Sequence, residues 1–257
     1  MPQSSPEQQV ISVYSALAGT WGRQHWWPAR SRFEVIVGAY LTQNTNWTNV
    51  ELALRKLRLA GALSVAGIRD ISLGKLEGLV RSSGYFRQKA RRLKVFVKFL
   101  DQNYGGSLTR MFAQPTAELR EQLLALNGVG PETADSILLY GGQRPIFVVD
   151  AYTKRIAGRH GILAETAKYE DFRLLFERAL SDGVKPATNS LDLFQGARHS
   201  PSRMSLAART PQAQVFNDMH GLLVEVGKNY CLKSKPRCDL CPLKPLLPQP
   251  QPQNTGL

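Results

Sequence analysis

The sequence is short of cysteine, of acidic residues and of long apolar runs. Its 257 residues include three cysteines, clustered near the C-terminus, and 20 acidic residues against 33 lysines and arginines. An odd, clustered set of cysteines does not form a disulfide framework, and it predicts a metal or cluster site in a reducing compartment. No apolar run approaches the roughly 18 residues that span a bilayer, so no membrane-spanning segment is expected.

The net charge of +13 is the main compositional clue to a partner. It favours a polyanion, with nucleic acid first and an anionic membrane surface second, while a soluble protein that is simply basic is the alternative. The first ten residues lack the basic start and apolar core of a secretory signal, which predicts a cytoplasmic protein. A hydrophobic fraction of 43% excludes a disordered chain.

Helical periodicity runs through most of the chain and predicts an all-α fold. The apolar run FEVIVGAYL predicts a buried helix, and two later segments have apolar faces with basic residues between them. Helices are expected at 33–41, 49–60, 89–101, 117–126, 132–140, 150–160, 169–181 and 214–227. The polar first ten residues, segment 184–212 and the Pro/Gln-rich stretch after Cys241 are expected to be loops or extended tails.

The most specific motif is the turn Asn127-Gly128-Val129-Gly130 between two predicted helices. Pro131 suits the first turn of the second helix, because its missing N–H would have no partner there. The two glycines allow a sharp turn whose N–H groups can hold a phosphate oxygen, and Val129 would anchor the turn in the core. An ordinary connection between two helices is the structural alternative.

Residues 124–156 as a whole resemble the helix-hairpin-helix motif and following aspartate of the DNA glycosylases typified by endonuclease III. The matching residues are L-x-G-V-G-x-x-T-A, from Leu126 to Ala134, and V-D-x-x-x-x-R, from Val149 to Arg155. Upstream, FEVIVGAYLTQNT resembles the early buried helix of the family. Downstream, C-x6-C-x2-C resembles its cluster loop.

The resemblance implies two helical domains with the active-site cleft between them. One is a six-helix barrel domain at 33–145, with the helix-hairpin-helix at 117–140. The other combines 1–32 with 146–257, and includes the cysteine loop at 231–241 and an insert at 184–212.

The resemblance also implies base-excision repair, in which the enzyme flips one damaged nucleotide out of double-stranded DNA and cleaves its glycosidic bond. Asp150 would be the essential carboxylate, because cleavage builds positive charge on the sugar; a plain helix N-cap is the alternative. Gln43 would fill the gap left by the flipped base, or would simply end its helix. The other implied DNA-binding residues are Gly128, Val129, Gly130 and Thr133.

Glu132 departs from the pattern of the members that also nick the strand. Those enzymes carry a lysine here, and the lysine amine forms a Schiff base with the sugar. Glutamate has no amine, so the sequence predicts a monofunctional glycosylase without AP lyase activity. A bifunctional endonuclease III-like enzyme for oxidised pyrimidines and a DNA-binding repair module without catalysis are the alternatives.

Three tryptophans, Trp26, Trp27 and Trp47, together with Glu132, resemble the 3-methyladenine glycosylases of the endonuclease III type. N-alkylation makes a purine cationic, and indole faces attract cations. We therefore expect a pocket for alkylated purines, with core packing as the alternative for two of the tryptophans. One or two residues of a basic group are expected to contact phosphates: Arg87, Lys89, Arg91, Arg92 and Lys94.

The cysteine loop lacks its last ligand. The family's loop is C-x6-C-x2-C-x5-C and holds a [4Fe–4S] cluster. Cys231, Cys238 and Cys241 match the first three positions, and Leu247 stands in the fourth. A cluster on three cysteines, a zinc ion with a borrowed ligand such as His220, and no metal remain open. The protein is expected to be a monomer associated with the nucleoid.

Overall fold

The computed structural model describes residues 4–181, 183–188 and 199–248. These residues form two compact units. Unit 1 contains residues 4–24, 149–181, 183–188 and 214–248, and unit 2 contains residues 25–148 and 199–213. No helix in this part of the chain is long and apolar enough to cross a bilayer.

The described residues form twelve α-helices and no β-strand, which confirms the all-α prediction. Residues 146–149 are buried but irregular. The helices are α1 Pro6–Trp21, α2 Arg32–Thr42, α3 Trp47–Leu59, α4 Val65–Asp70, α5 Leu73–Leu79, α6 Phe86–Tyr104, α7 Leu108–Phe112, α8 Thr116–Leu124, α9 Pro131–Ser136, α10 Ala151–Arg159, α11 Tyr169–Ala179 and α12 Pro211–Asn229. A π-helical turn, Ile137–Gly141, continues α9.

Short polar side chains set the start of many helices. Each accepts a hydrogen bond from the backbone N–H three residues later, which satisfies a donor that has no partner inside the helix. Losing one such cap typically costs about 1 kcal/mol. The residues in this role are Ser5, Ser31, Asn46, Ser64, Ser72 and Ser107.

Helix α2 supplies much of the core of unit 2. Every residue from 33 to 41 is buried, as the apolar run predicts, and the helix packs against α3, α6 and α9. Glu34 is the charged residue among them, and its Oε1 lies 2.5 Å from Nη2 of Arg58. This ion pair compensates the burial of the carboxylate. The C-terminal end of α2 leads directly to Gln43.

Unit 1 begins with a helix that the sequence pattern did not predict. The polar first residues suggest a tail, but α1 starts at Pro6 and packs against α11. Its buried face is formed by Val10, Val13, Tyr14 and Leu17. The polar residues lie between these positions at helical spacing, so they belong to the outer face of an amphipathic helix.

Two segments expected to be loops or tails are partly packed. Within 184–212, residues 189–198 lie outside the described part, but the end of the segment joins unit 2. The Met204 N–H donates to the Ala29 carbonyl over 3.0 Å, and the Ala29 N–H donates to Ser202 Oγ over 3.2 Å. After Cys241, Leu243 is fully buried in unit 1, and residues 249–257 are outside the described part.

Candidate functional site

The hairpin between α8 and α9 depends on its first glycine. Gly128 has φ +79°, a left-handed conformation that is costly for other residues. A Cβ at this position would also overlap the side chain of Arg92. Val129 anchors the turn, because it is buried and its N–H donates to the Leu126 carbonyl over 3.0 Å. Gly130, in contrast, has φ −91° and open space where a Cβ would be.

Gln43 connects this hairpin to other helices of unit 2 through hydrogen bonds. Its Nε2 donates to the Gly128 carbonyl and to Thr133 Oγ1, both over 2.9 Å. Its Oε1 accepts a hydrogen bond from Arg92 Nη1 over 2.8 Å. The ends of α2 and of the hairpin are therefore linked to α6 through one side chain. Entry of Gln43 into a DNA gap would require all three hydrogen bonds to break, so that role stays a prediction.

Lys89 lies inside unit 2 and is 1% exposed. Its ammonium donates to the carbonyls of Leu41 and Ser83 over 2.8 and 2.6 Å, and to Thr45 Oγ1 over 2.8 Å. Burial, together with the charge of the nearby Arg92, lowers the pKa of Lys89 to about 8. The ammonium therefore stays protonated at pH 7 and braces the turn after α2, so it is not available to DNA.

The other basic residues expected at DNA divide into two groups. Lys94 Nζ donates to the Arg69 carbonyl over 2.9 Å, and Arg92 is used in the contact with Gln43. Arg87 and Arg91 are exposed on α6. These two exposed guanidinium groups are the members of the basic set that the fold leaves on the surface.

Asp150 is the N-cap residue of α10 in unit 1. Its Oδ1 accepts hydrogen bonds from the N–H and the hydroxyl of Thr153, over 2.7 and 2.9 Å. The Asp150 N–H in turn donates to Thr153 Oγ1 over 3.4 Å, which completes a capping box, so the structural alternative considered for Asp150 is realised. The carboxylate is only 13% exposed, and its second oxygen takes no part in the cap. The cap therefore orients the carboxylate and leaves Oδ2 for other chemistry.

His220 on α12 faces this second oxygen. Its Nε2 lies 3.7 Å from Asp150 Oδ2, and its side chain is buried at 5% exposure. Burial lowers the pKa of the imidazole, an effect opposed by the Asp150 carboxylate and increased by Lys228. The imidazole is therefore neutral at pH 7. The sequence suggested His220 as a borrowed zinc ligand, and the structure instead places it beside Asp150.

Two arginines of α10 hold the start of the cysteine loop. Arg155 donates from Nε to the Cys231 carbonyl over 2.7 Å and from Nη2 to the Gly227 carbonyl over 3.1 Å. Arg159 Nη1 lies 3.3 Å from Cys231 Sγ and donates to the Leu232 carbonyl over 2.7 Å. Arg155, the arginine of the V-D-x-x-x-x-R motif, thus holds α10, whose N-cap is Asp150, against the start of the cysteine loop. The sequence motif marked Arg155 without indicating this role.

The three tryptophans form one aromatic cluster in unit 2. Trp27 packs edge-on against Trp47, with ring centres 5.1 Å apart, and its centre lies 5.5 Å from that of Trp26. Trp27 also lies against Gly38 of α2, where a Cβ would be 3.2 Å from the indole ring. Trp26 and Trp27 are buried, whereas Trp47 is half-buried and donates from Nε1 to Glu51 Oε1 over 2.8 Å. Trp47 is therefore the ring with the most surface left for a ligand.

Glu132 lies on the first turn of α9 and is exposed. A carboxylate at this position stabilises the helix, because the helix dipole places partial positive charge at the N-terminus. Its part in a base pocket stays a prediction. Thr133, the next residue, is buried by its contact with Gln43.

The cysteine loop surrounds a small cavity in unit 1. Cys231, Cys238 and Cys241 line it together with Leu247, as expected if Leu247 stands at the position of the missing ligand. His160, the C-cap residue of α10, lines the same cavity. Among the described residues, no group of three or more His, Cys, Asp or Glu side chains converges on a single metal ion. Thiolates are the ligands that iron–sulfur clusters take, so the three cysteines would hold such a cluster if one binds here.

A glycine-dependent helix hairpin and a capped aspartate at the start of a later helix define this chain as an α-helical protein of the helix-hairpin-helix type. A family model described as HhH-GPD superfamily base excision DNA repair protein matches residues 37–181, which is more than half of the chain. The chain therefore belongs to the HhH-GPD superfamily of base excision DNA repair proteins.

Similar proteins agree with this assignment. A Methanocaldococcus jannaschii protein named as a DNA repair glycosylase is 39% identical over 240 residues, covering 92% of this chain and 94% of the relative. Endonuclease III of Thermotoga maritima is 27% identical over 82% of this chain and 80% of its own length. The crystal structure of H. pylori 3-methyladenine DNA glycosylase, bound to 1,N6-ethenoadenine, has a TM-score of 0.68 and 27% identity over 88% of this chain and 98% of that chain.

Proposed function

We propose that this protein is a monofunctional DNA glycosylase that removes alkylated purines, such as 3-methyladenine, from double-stranded DNA by hydrolysis. The observation that carries the proposal is the geometry of Asp150. One carboxylate oxygen is fixed by the capping box of α10, and the other is outside the cap in a side chain that is 13% exposed. This oxygen is oriented and largely shielded from water, which strengthens its effect on a developing charge.

The chemistry requires a single negative charge near the sugar. As the glycosidic bond breaks, its electron pair leaves with the base, and positive charge develops on the sugar. The Asp150 carboxylate would stabilise that charge or accept a proton from the water that attacks the sugar carbon. A cationic alkylated purine leaves as a neutral base, so its departure needs no proton from the enzyme.

Two lysine-related features support hydrolysis rather than Schiff-base chemistry. The hairpin position that would carry the amine is Glu132, which has no nucleophilic nitrogen. Lys89, the buried lysine of unit 2, already donates to three oxygens and is 1% exposed. A water molecule is therefore the proposed nucleophile.

The substrate class rests on the aromatic cluster and on one relative. Trp47 keeps exposed surface beside Trp27, and indole faces attract cationic rings. The H. pylori structure, 27% identical, is a 3-methyladenine DNA glycosylase with a modified adenine bound. Both support an alkylated purine over an oxidised pyrimidine.

The test is excision from a panel of duplexes that each contain one lesion: 3-methyladenine, ethenoadenine, uracil or an oxidised pyrimidine. We expect fastest release of the alkylated purine, with the DNA strand intact until alkali is added. Faster release of the oxidised pyrimidine with direct strand cleavage would favour the bifunctional alternative. Binding without excision of any lesion would favour the non-catalytic module.

A further inference from the structure

The cysteine cavity is lined by a histidine that the sequence spacing does not suggest. His160 follows α10 directly and is 71 positions before the first cysteine of the loop, yet it lines the same cavity as all three cysteines. Its side chain is buried, with 8% of the residue exposed. The leucine in the fourth cysteine position lines this cavity as well.

We propose that His160 supplies the fourth protein ligand of a [4Fe–4S] cluster whose other ligands are Cys231, Cys238 and Cys241. The imidazole would replace the thiolate that the chain lacks at Leu247. The ligand set then becomes three cysteines and one histidine.

The hydrogen bond of His160 specifies which ring nitrogen can bind iron. Its Nδ1 lies 3.1 Å from the carbonyl oxygen of Leu246. A carbonyl oxygen can only accept, so Nδ1 carries the proton and Nε2 carries the lone pair. Histidine ligands of metals commonly donate their second N–H to a backbone carbonyl in this way, which fixes both the tautomer and the ring orientation. Nε2 can bind iron without releasing a proton.

The same hydrogen bond connects the histidine to the defective end of the loop. Leu246 is the neighbour of Leu247, and the short helical turn Lys244–Leu246 brings both towards His160. The segment around position 247, where the family pattern has its fourth cysteine, therefore positions the histidine that replaces that cysteine.

The spacing of the cysteines favours a cluster over a zinc ion. Cys231, Cys238 and Cys241 keep the C-x6-C-x2-C spacing of the loop that holds a [4Fe–4S] cluster in the family. In a four-iron cluster each protein ligand binds a different iron, so the three cysteines and His160 would each bind one iron. Three cysteines and one histidine also form a common zinc set, so the metal content of the reconstituted protein decides between the two.

Positive charge around the cavity also suits an anionic cluster. Arg159 Nη1 lies 3.3 Å from Cys231 Sγ, and Lys244 lines the cavity. Hydrogen bonds from charged donors to cluster sulfurs stabilise the thiolates and tune the reduction potential.

The experiment measures iron and acid-labile sulfide per chain after anaerobic reconstitution of the full-length protein with ferrous iron and sulfide. For the wild type we expect about four irons per chain and a nitrogen hyperfine coupling in the pulsed EPR spectrum of the reduced cluster. For His160→Gln, which keeps an N–H for the Leu246 carbonyl, we expect about three irons and no such coupling. Leu240→Ala, at an exposed position of the same loop, should match the wild type.

A double variant, His160→Gln with Leu247→Cys, should restore the fourth iron without the nitrogen coupling, which shows that folding survives the first change. Three results would overturn the proposal. His160→Gln could keep the wild-type iron content and spectrum, the wild type could take up zinc in place of iron, or it could hold neither metal after reconstitution.

Discussion

The hairpin and the start of α10 contain the two most specific motifs of the sequence, and they use polar side chains in opposite ways. At the hairpin, Gln43 from the end of α2 and Thr133 of α9 are engaged in hydrogen bonds within unit 2. At α10, Asp150 uses one oxygen in the cap and keeps the other outside it. Changes in the hairpin should therefore act on stability and DNA affinity, and changes at Asp150 should act on the rate of excision.

The largest expected effect is at Asp150. In Asp150→Asn the amide oxygen can still accept from Thr153, so the cap is kept while the negative charge is lost. We expect the single-turnover excision rate to fall by about 10³-fold or more, with melting temperature and DNA affinity unchanged. Asp171→Asn, which changes the carboxylate that accepts from the Lys168 N–H at the start of α11, is the matched control and should leave excision unchanged. Excision within a few-fold of wild type would reduce Asp150 to a cap.

The second effect distinguishes the two glycines of the hairpin. Gly128→Ala forces a side chain into a left-handed conformation and into the space of Arg92, so the free energy of unfolding should fall by about 3 kcal/mol. Gly130→Ala meets open space at negative φ and should cost under about 1 kcal/mol. Urea unfolding of both variants measures the difference. Equal costs would mean that the Arg92 contact does not constrain the turn.

The third effect separates two roles of Gln43. Gln43→Leu removes three hydrogen bonds and leaves the Gly128 carbonyl and Arg92 without that partner, so we expect a loss of about 2 kcal/mol in stability without DNA. Gln88→Leu on the exposed face of α6 is the control. If stability is unchanged and only affinity for damaged DNA falls, Gln43 acts as a gap filler and not as a brace.

The smallest effect concerns pH. Burial lowers the pKa of His220 below 6.5, so the imidazole is neutral at pH 7 and gains a proton only under acidic conditions. Protonation would place a cation 3.7 Å from Asp150 Oδ2 and would weaken the negative potential at the sugar. We expect the excision rate to fall as pH drops below 6.5. In His220→Gln this decline should be smaller by a few-fold, whereas an identical profile would exclude the contact from catalysis.

Sequence patterns predicted the fold class well, because the spacing of apolar residues and the identity of turn residues can be read within short segments of sequence. The apolar run of α2 and the glycine turn before Pro131 are found where expected. Helix α1 was missed because its polar outer residues hide four buried positions spaced along the helix. The end of segment 184–212 was missed because its contacts with Ala29 join residues more than 170 positions apart.

The sequence predicted only those site residues that belong to a recognisable motif. Asp150, the hairpin glycines and the cysteines stand in recognisable spacings. The contacts of Gln43 with Arg92, of His220 with Asp150 and of His160 with the cysteine cavity join side chains from separate elements. Such pairs leave no regular spacing in one sequence, so the structure was needed to identify them.

The central claim is that water, and not an enzyme amine, attacks the sugar beside Asp150. Borohydride reduction during excision of 3-methyladenine from duplex DNA tests it most directly, because a Schiff base would be trapped as a covalent protein–DNA adduct. We predict release of the base, an intact strand and no adduct. A stoichiometric adduct that forms at the rate of excision would contradict the account.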